Sequence, residues 1–175
     1  MTTVVVPFAG SGGKTRLDAP RDTRRELSLA MLADVLAAAT AVGRTLIVTP
    51  DADGVDVDGV EVVGDPGGGQ GAAVQAALAG LDGDVLVVNA DLPCVTAADL
   101  LALRDAIPPG GLALVEARDG TTNALGLSSP DLFQPLYGPG SARRFRALGA
   151  VSVSIPNMVE DVDTSADLDR LGIAR

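Results

Sequence analysis

Three aspartates and one glycine-rich loop carry most of the chemistry available to this sequence. Residues 84–89 (DVLVVN) read as a buried strand, and Ala90-Asp91-Leu92-Pro93 follows at its exit. A carboxylate delivered there stands at the C-terminal edge of a sheet, where open α/β folds form their ligand crevice. Asp161 and Asp163 alternate along residues 160–164 (EDVDT), so in an extended segment both carboxylates face one side. Oxygen donors from these three residues suit one or two Mg²⁺ ions. The plainer assignment for Asp91 is a turn or cap, since aspartate is frequent in loops.

Residues 10–15 (GSGGKT) leave the first strand and end like a Walker A loop. The full P-loop has glycine six positions before its lysine, and here that position is Phe8. A P-loop also runs into a helix at its lysine, which Asp18-Ala19-Pro20 opposes because proline removes a donor and clashes with the preceding turn. The P-loop ATPase reading is therefore rejected. A glycine-rich turn can still wrap phosphates with backbone N–H groups, with Lys14 and Arg16 adding charge. Lys14 is the only lysine of the chain, and its place in the most glycine-dense strand exit favours that role over a solvated surface loop.

Further along, residues 138–141 (GPGS) stand just ahead of a helix, with Ser141 as its capping residue and free N–H groups suited to a carboxylate or phosphate. An ordinary N-cap is the simpler account. Residues 120–123 (GTTN) add hydroxyls and an amide at a strand entry. Cys94 reads as a small filler, because the chain has no histidine to activate it.

The missing histidine excludes much else. No Ser-His-Asp or Cys-His pair, zincin helix or imidazole base can form. A single cysteine closes no internal disulfide and builds no cysteine-cluster metal site, which fits a reducing cytosol. With 13 basic against 23 acidic residues the net charge is −10, so a nucleic-acid backbone is an unfavourable partner. A small anionic ligand remains open, given local help from a metal, helix N-termini or placed cations. No apolar run reaches bilayer length and no signal-peptide layout is seen, so the expectation is a soluble cytoplasmic protein without a membrane partner.

The 175 residues suit one domain, expected over residues 1–175. Short apolar strands alternate with helices, as in a parallel-type sheet covered on both faces. Strands are expected at residues 2–8, 44–49, 59–63, 84–89, 112–116, 123–127 and 151–155. The first helix is expected from a Thr23/Glu26 capping box to about Val42, with Leu27, Met31, Leu32, Val35 and Leu36 on one face. Others are expected at 72–81, at 96–107 behind a Thr96/Asp99 capping box, after Ser141, and at 165–171.

These motifs, in this order, resemble one family. Lys14-Thr15-Arg16-Leu17, Arg25-Glu26-Leu27 through Ala30-Met31-Leu32, Asp65-Pro66-Gly67-Gly68, Ala90-Asp91-Leu92-Pro93, Gly120 to Asn123, Gly138-Pro139-Gly140-Ser141 and Asp161-Val162-Asp163-Thr164 are similar to the CofC/FbiD nucleotidyltransferases of coenzyme F420 biosynthesis. The resemblance runs over nearly the whole chain. It implies a single-domain GT-A-like (Rossmann-like) α/β fold with a mixed, mostly parallel sheet flanked by helices. It also implies transfer of the guanylyl group of GTP to phosphoenolpyruvate, 2-phospho-L-lactate or 3-phospho-D-glycerate, with release of pyrophosphate. By matching position, Lys14, Arg16 and Asp91 would be catalytic, and Gly12, Gly13, Lys14, Gly68, Gly69 and Gly71 would bind nucleotide. Thr121, Thr122, Asn123, Gly138, Gly140 and Ser141 would hold the phospho-acid, and Asp91, Asp161 and Asp163 would carry Mg²⁺. Oligomeric state is left open, a homodimer included.

Such a reaction needs no protein base, because the attacking phosphate oxygen is already ionised, so a chain without histidine loses nothing. Two positions differ from the family pattern: Phe8-Ala9 stands where a lysine often follows the first strand's Val-Pro pair, and Gln70-Gly71 where many members have asparagine after Gly-Gly. The rival assignments are a MobA-like or sugar-phosphate nucleotidyltransferase, which would usually show a fuller Leu-x-Gly-Gly-x-Ser-x-Arg-Met loop, and a catalytically silent nucleotide-binding module.

Overall fold

The computed structural model describes residues 1–10, 20–51, 57–162 and 164–171. Seven strands make one sheet: β1 (Thr3–Pro7), β2 (Arg44–Thr49), β3 (Val60–Gly64), β4 (Val85–Val88), β5 (Leu112–Glu116), β6 (Thr122–Leu127) and β7 (Val151–Ser152). Five helices flank it: α1 (Arg21–Thr40), α2 (Gln70–Leu78), α3 (Ala97–Asp105), α4 (Ser141–Ala147) and α5 (Ser165–Leu171). The strand order is β3-β2-β1-β4-β6-β5-β7. Only β6 runs antiparallel to its neighbours, so the sheet is mixed and mostly parallel, as expected. The connection between β5 and β6 is too short for a parallel crossover, which needs a dozen or more residues, so this pair must form a hairpin.

Strand alternation divides the core into two layers. Val4 and Val6 of β1, with Leu86 and Val88 of β4, pack under Leu32, Val35 and Leu36 of α1 and Leu100 and Leu103 of α3. Val5, Val85 and Val87 face the other side, against Val74 and Ala77 of α2 and Phe145 of α4. Successive residues of a strand point to opposite faces, so a fully apolar strand has a helix above and below it. The two edge strands are the exceptions: β3 is largely exposed, and both residues of β7 are exposed. β3 lies beside β2. It is tied down by a bidentate bond of Arg44 to Glu61 (2.7 and 2.8 Å), and that bond holds the Glu61 carboxyl below its ordinary value.

Several boundaries differ from expectation. The Thr23/Glu26 capping box does not start α1; the helix begins at Arg21, with Pro20 at the N-cap and no side-chain cap. Pro20 keeps an extended ψ of 153° while its carbonyl accepts the Arg24 N–H at 3.0 Å, so proline itself launches the helix. The Thr96/Asp99 box does form, with both reciprocal bonds present. α2 starts at Gln70, two residues earlier than expected, because Gly69 at φ 89° makes the entry turn. β7 is two residues long rather than five: after Val153 N–H bonds to the Leu114 carbonyl the chain turns into a 3₁₀ turn at Pro156–Met158, which buries Met158 completely.

Candidate active site

β1 has parallel neighbours on both sides, β2 reached through α1 and β4 reached through α2. The chain therefore reverses its direction of travel across the sheet between β1 and β4, and a crevice opens at their C-terminal ends. A cavity of about 250 Å³ lies there. Its walls come from residues 7–10 leaving β1, Ser28 and Met31 of α1, Asp65 after β3, Gln70 and Ala73 of α2, and Asn89 to Asp91 leaving β4. Among these lining residues the charged side chains are Asp65 and Asp91, both acidic.

Asp91 stands at the strand exit expected of it, half-buried in the cavity wall. Its carbonyl accepts the Val162 N–H at 3.2 Å, which sets Asp161 beside it although the two are far apart in sequence. Other contacts hold this acidic segment. Val162 is fully buried with Met31 and Leu168, Arg118 pairs with Glu160, and the Asn123 amide donates to the carbonyls of Met158 (3.0 Å) and Val159 (3.2 Å). Asp91 and Asp161 offer only carboxylate oxygens, the donors that Mg²⁺ prefers, and so fit that ion. Among the described residues no three acidic side chains gather closely enough to enclose a metal. Asp163, the expected third member, lies outside the described residues, as do Gly12, Gly13, Lys14 and Arg16.

Gly68 and Gly69 lie in an exposed turn ahead of α2, both with positive φ, next to the cavity-lining Asp65 and Gln70. The turn is fixed by Asp65, whose Oδ1 accepts the Gly67 N–H at 2.8 Å. Gly71 also makes a packing contact: a Cβ built there would lie 2.6 Å from Pro135 Cβ, so its bareness admits the 133–137 segment.

The expected acceptor residues do come together, at the junction of β6 and α4. Thr122 Oγ1 and Ser141 Oγ are 3.0 Å apart and buried, and the Ala142 N–H donates to the Gly120 carbonyl at 3.3 Å. Thr121 is half-buried and donates from N and Oγ1 to Asp119 Oδ1 (2.9 and 2.6 Å). Ser141, however, is not the cap of α4. Gly140 occupies that position at φ 71° with no side-chain cap bond, and the Ser141 N–H donates to the Gly138 carbonyl at 3.0 Å. Two N–H groups expected to be free for an anion are thus engaged: Ser141 because the left-handed Gly140 lets the chain close a turn on itself, and Ala142 because α4 abuts the Gly120 carbonyl ahead of β6.

Two cavity groups, Ser28 and Asn89, escape sequence reasoning, and a third, Gln70, enters it only as a departure from the family pattern. Ser28 is 4% exposed, its hydroxyl has no hydrogen-bond partner among the described residues, and it lines the cavity. Its one signal was a hydroxyl inside the stripe later occupied by Leu32, Val35 and Leu36. Gln70 and Asn89 join through Gln70 Nε2 to Asn89 Oδ1 at 2.7 Å. Nothing in their spacing foretold it, since they stand on different elements.

Comparison with known proteins decides the family. The profile of the MobA-like NTP transferase domain matches residues 14–152. A phosphoenolpyruvate guanylyltransferase of Nocardia farcinica is 38% identical over 84% of this chain and 73% of its own length. One from Sphaerobacter thermophilus is 36% identical over 98% and 93%. The chain belongs to this family. It is thus a nucleotidyltransferase of the CofC/FbiD kind that its motifs resemble, within the broader MobA-like group. The fold agrees: a Desulfovibrio desulfuricans G20 protein of nucleotide-diphospho-sugar transferase type superposes with a TM-score of 0.72 at 17% identity, over 97% of this chain and 85% of its own. Among the described residues no helix is long and apolar enough to cross a membrane.

Proposed function

We propose that this nucleotidyltransferase moves the guanylyl group of GTP onto the phosphate of a three-carbon phospho-acid, phosphoenolpyruvate before 2-phospho-L-lactate or 3-phospho-D-glycerate, and releases pyrophosphate. The observation that carries the reading is the Val162 bond to the carbonyl of the cavity-lining Asp91, which brings the acidic 160–162 segment up to the switch point of the sheet. The names of the relatives favour phosphoenolpyruvate as acceptor and a guanine nucleotide as donor.

An ionised oxygen of the acceptor phosphate attacks the α-phosphorus of GTP, the bond from α-phosphorus to the bridging oxygen breaks, and pyrophosphate departs with that electron pair. No proton need be removed first. The work of the protein is to align two anions and offset their charge. Asp91, Asp161 and Asp163 are the proposed Mg²⁺ ligands, and the ion when bound supplies charge neutralisation that the acidic cavity lacks. Lys14 and Arg16 with Gly12, Gly13, Gly68 and Gly69 are assigned to the triphosphate. Thr121, Gly138, Gly140 and Thr122 at the β6 entry are assigned to the acceptor's carboxylate, with Ser141 reaching it by exchanging its bond to Thr122, whereas the Asn123 amide, committed to the Met158 and Val159 carbonyls, steadies that strand entry from within the core. Coenzyme F420 biosynthesis in the cytoplasm is the proposed setting.

Incubating the purified protein with GTP, Mg²⁺ and each acid in turn should release pyrophosphate with one of them. No release with any acid and any nucleoside triphosphate overturns the proposal. A silent nucleotide-binding module is the second reading, favoured by the uncharged Ala9 in the cavity wall. It predicts thermal stabilisation by GTP that ignores Mg²⁺ and no stabilisation by the acids.

A further inference from the structure

A row of side-chain amides runs from the cavity into the core, and its hydrogen-bond direction is fixed by its inner end. The carbonyls of Met158 and Val159 can only accept, so the group that Asn123 turns toward them must be its NH₂ (3.0 and 3.2 Å). Asn123 is fully buried and has no other way to satisfy them. Its Oδ1 is left facing Asn89, and the Thr122 carbonyl, also an obligate acceptor, lies 3.2 Å from Asn89 Nδ2. Either contact alone requires Asn89 to present NH₂ to β6 and Oδ1 to the cavity side. Gln70 meets that Oδ1 with Nε2 at 2.7 Å. Among the described residues the Gln70 Oε1 is therefore the free end of the row, held as an acceptor at a cavity-lining residue. This follows from the chemistry of backbone carbonyls and not from which atom of an amide is labelled nitrogen.

We infer that Gln70 is a base-selecting residue of the nucleotide site and that Asn89 and Asn123 are the positioning residues that fix its polarity. The inference rests on the guanylyltransferase reading and deepens it. An amide held one way round discriminates where a freely rotating one does not, because a base offering an acceptor could otherwise be met by the NH₂. Gln70 Oε1 and the Asp65 carboxylate, which flank the turn into α2, are then two of the acceptors of the cavity lining. Guanine matches them with adjacent donors, its ring N1–H and its exocyclic amine. Hypoxanthine keeps the ring donor and lacks the amine, and adenine offers an acceptor at ring N1.

The test compares GTP with ITP, which lacks only the amine, and with 2′-deoxy-GTP, which probes the ribose. In the unaltered protein kcat/KM should favour GTP over ITP by at least about tenfold, the net worth of one hydrogen bond. Gln70→Leu should bring that ratio close to one while the GTP to deoxy-GTP ratio holds. Asn89→Leu, which leaves Gln70 in place but frees it to turn over, should do the same. That shift is one a merely structural role would not produce. An unchanged GTP to ITP ratio in Gln70→Leu overturns the inference. So does a change confined to the deoxy-GTP ratio, which would put the acceptor at the ribose. If Asn89→Leu does not fold, Gln70→Leu decides alone. Thermal stabilisation by GDP against IDP gives the same comparison without turnover, so a protein that binds selectively but transfers nothing would refute the guanylyltransferase reading and leave this one standing.

Discussion

A single hydroxyl shows how a cavity residue can be separated from a core residue. A serine inside a helix usually bonds back to the carbonyl one turn earlier or points to water. Ser28 does neither, although it is almost completely buried. An unsatisfied buried hydroxyl costs about 1–3 kcal/mol, so its retention beside the cavity points to a partner that arrives with the ligand. Ser28→Ala should accordingly leave the melting temperature unchanged or raise it while weakening nucleotide binding several-fold, seen as a higher KM for GTP. A drop in stability with KM unaltered would assign the hydroxyl to the core instead. Thr122 and Ser141 differ, because their buried hydroxyls bond to one another.

At the scale of elements, helix and strand ends do the positioning. β4 delivers Asp91, the turn before α2 delivers Asp65 and Gln70, and Met31 and Leu27 of α1 pack on Val162 and so support the acidic segment. The first turn of α2 must lie close against the 133–137 segment, and Gly71 permits it. Gly71→Ala inserts a methyl into space held by Pro135. Overpacking of this kind costs about 1–3 kcal/mol, so the melting temperature should fall by on the order of 5 °C. Because Gln70 is the adjacent residue, nucleotide affinity should fall with it. Full stability in a calorimetric scan would mean that the segment shifts freely. The helix starts were less legible than the strands, since Thr23 and Glu26 satisfy a capping pattern that Pro20 pre-empts three residues earlier.

The whole molecule joins parts that the chain keeps apart. Asp91 belongs to the parallel half of the sheet, and Asp161 follows the last strand of the mixed half. One backbone bond unites them beside the switch point. Asp91→Asn keeps the size of the side chain and the backbone bond but removes a charge. It should lower pyrophosphate release by at least about a hundredfold, on the scale of losing one transition-state electrostatic contact, with circular dichroism unchanged. Turnover close to that of the unaltered protein would move the ion elsewhere. The sequence by itself determined the class of fold, the core and most strands, because alternation and apolar runs are local signals that burial enforces residue by residue. It also determined the family, through motifs such as Ala90-Asp91-Leu92-Pro93 whose order survives without knowledge of contacts. The tertiary structure alone decided that Ser141 is bonded to Thr122, that Gly71 makes room for Pro135, and that Gln70, Asn89 and Asn123 form one directed row. Those are pairings between distant segments, and a hydrogen bond has a partner and a direction only once both ends are fixed in space.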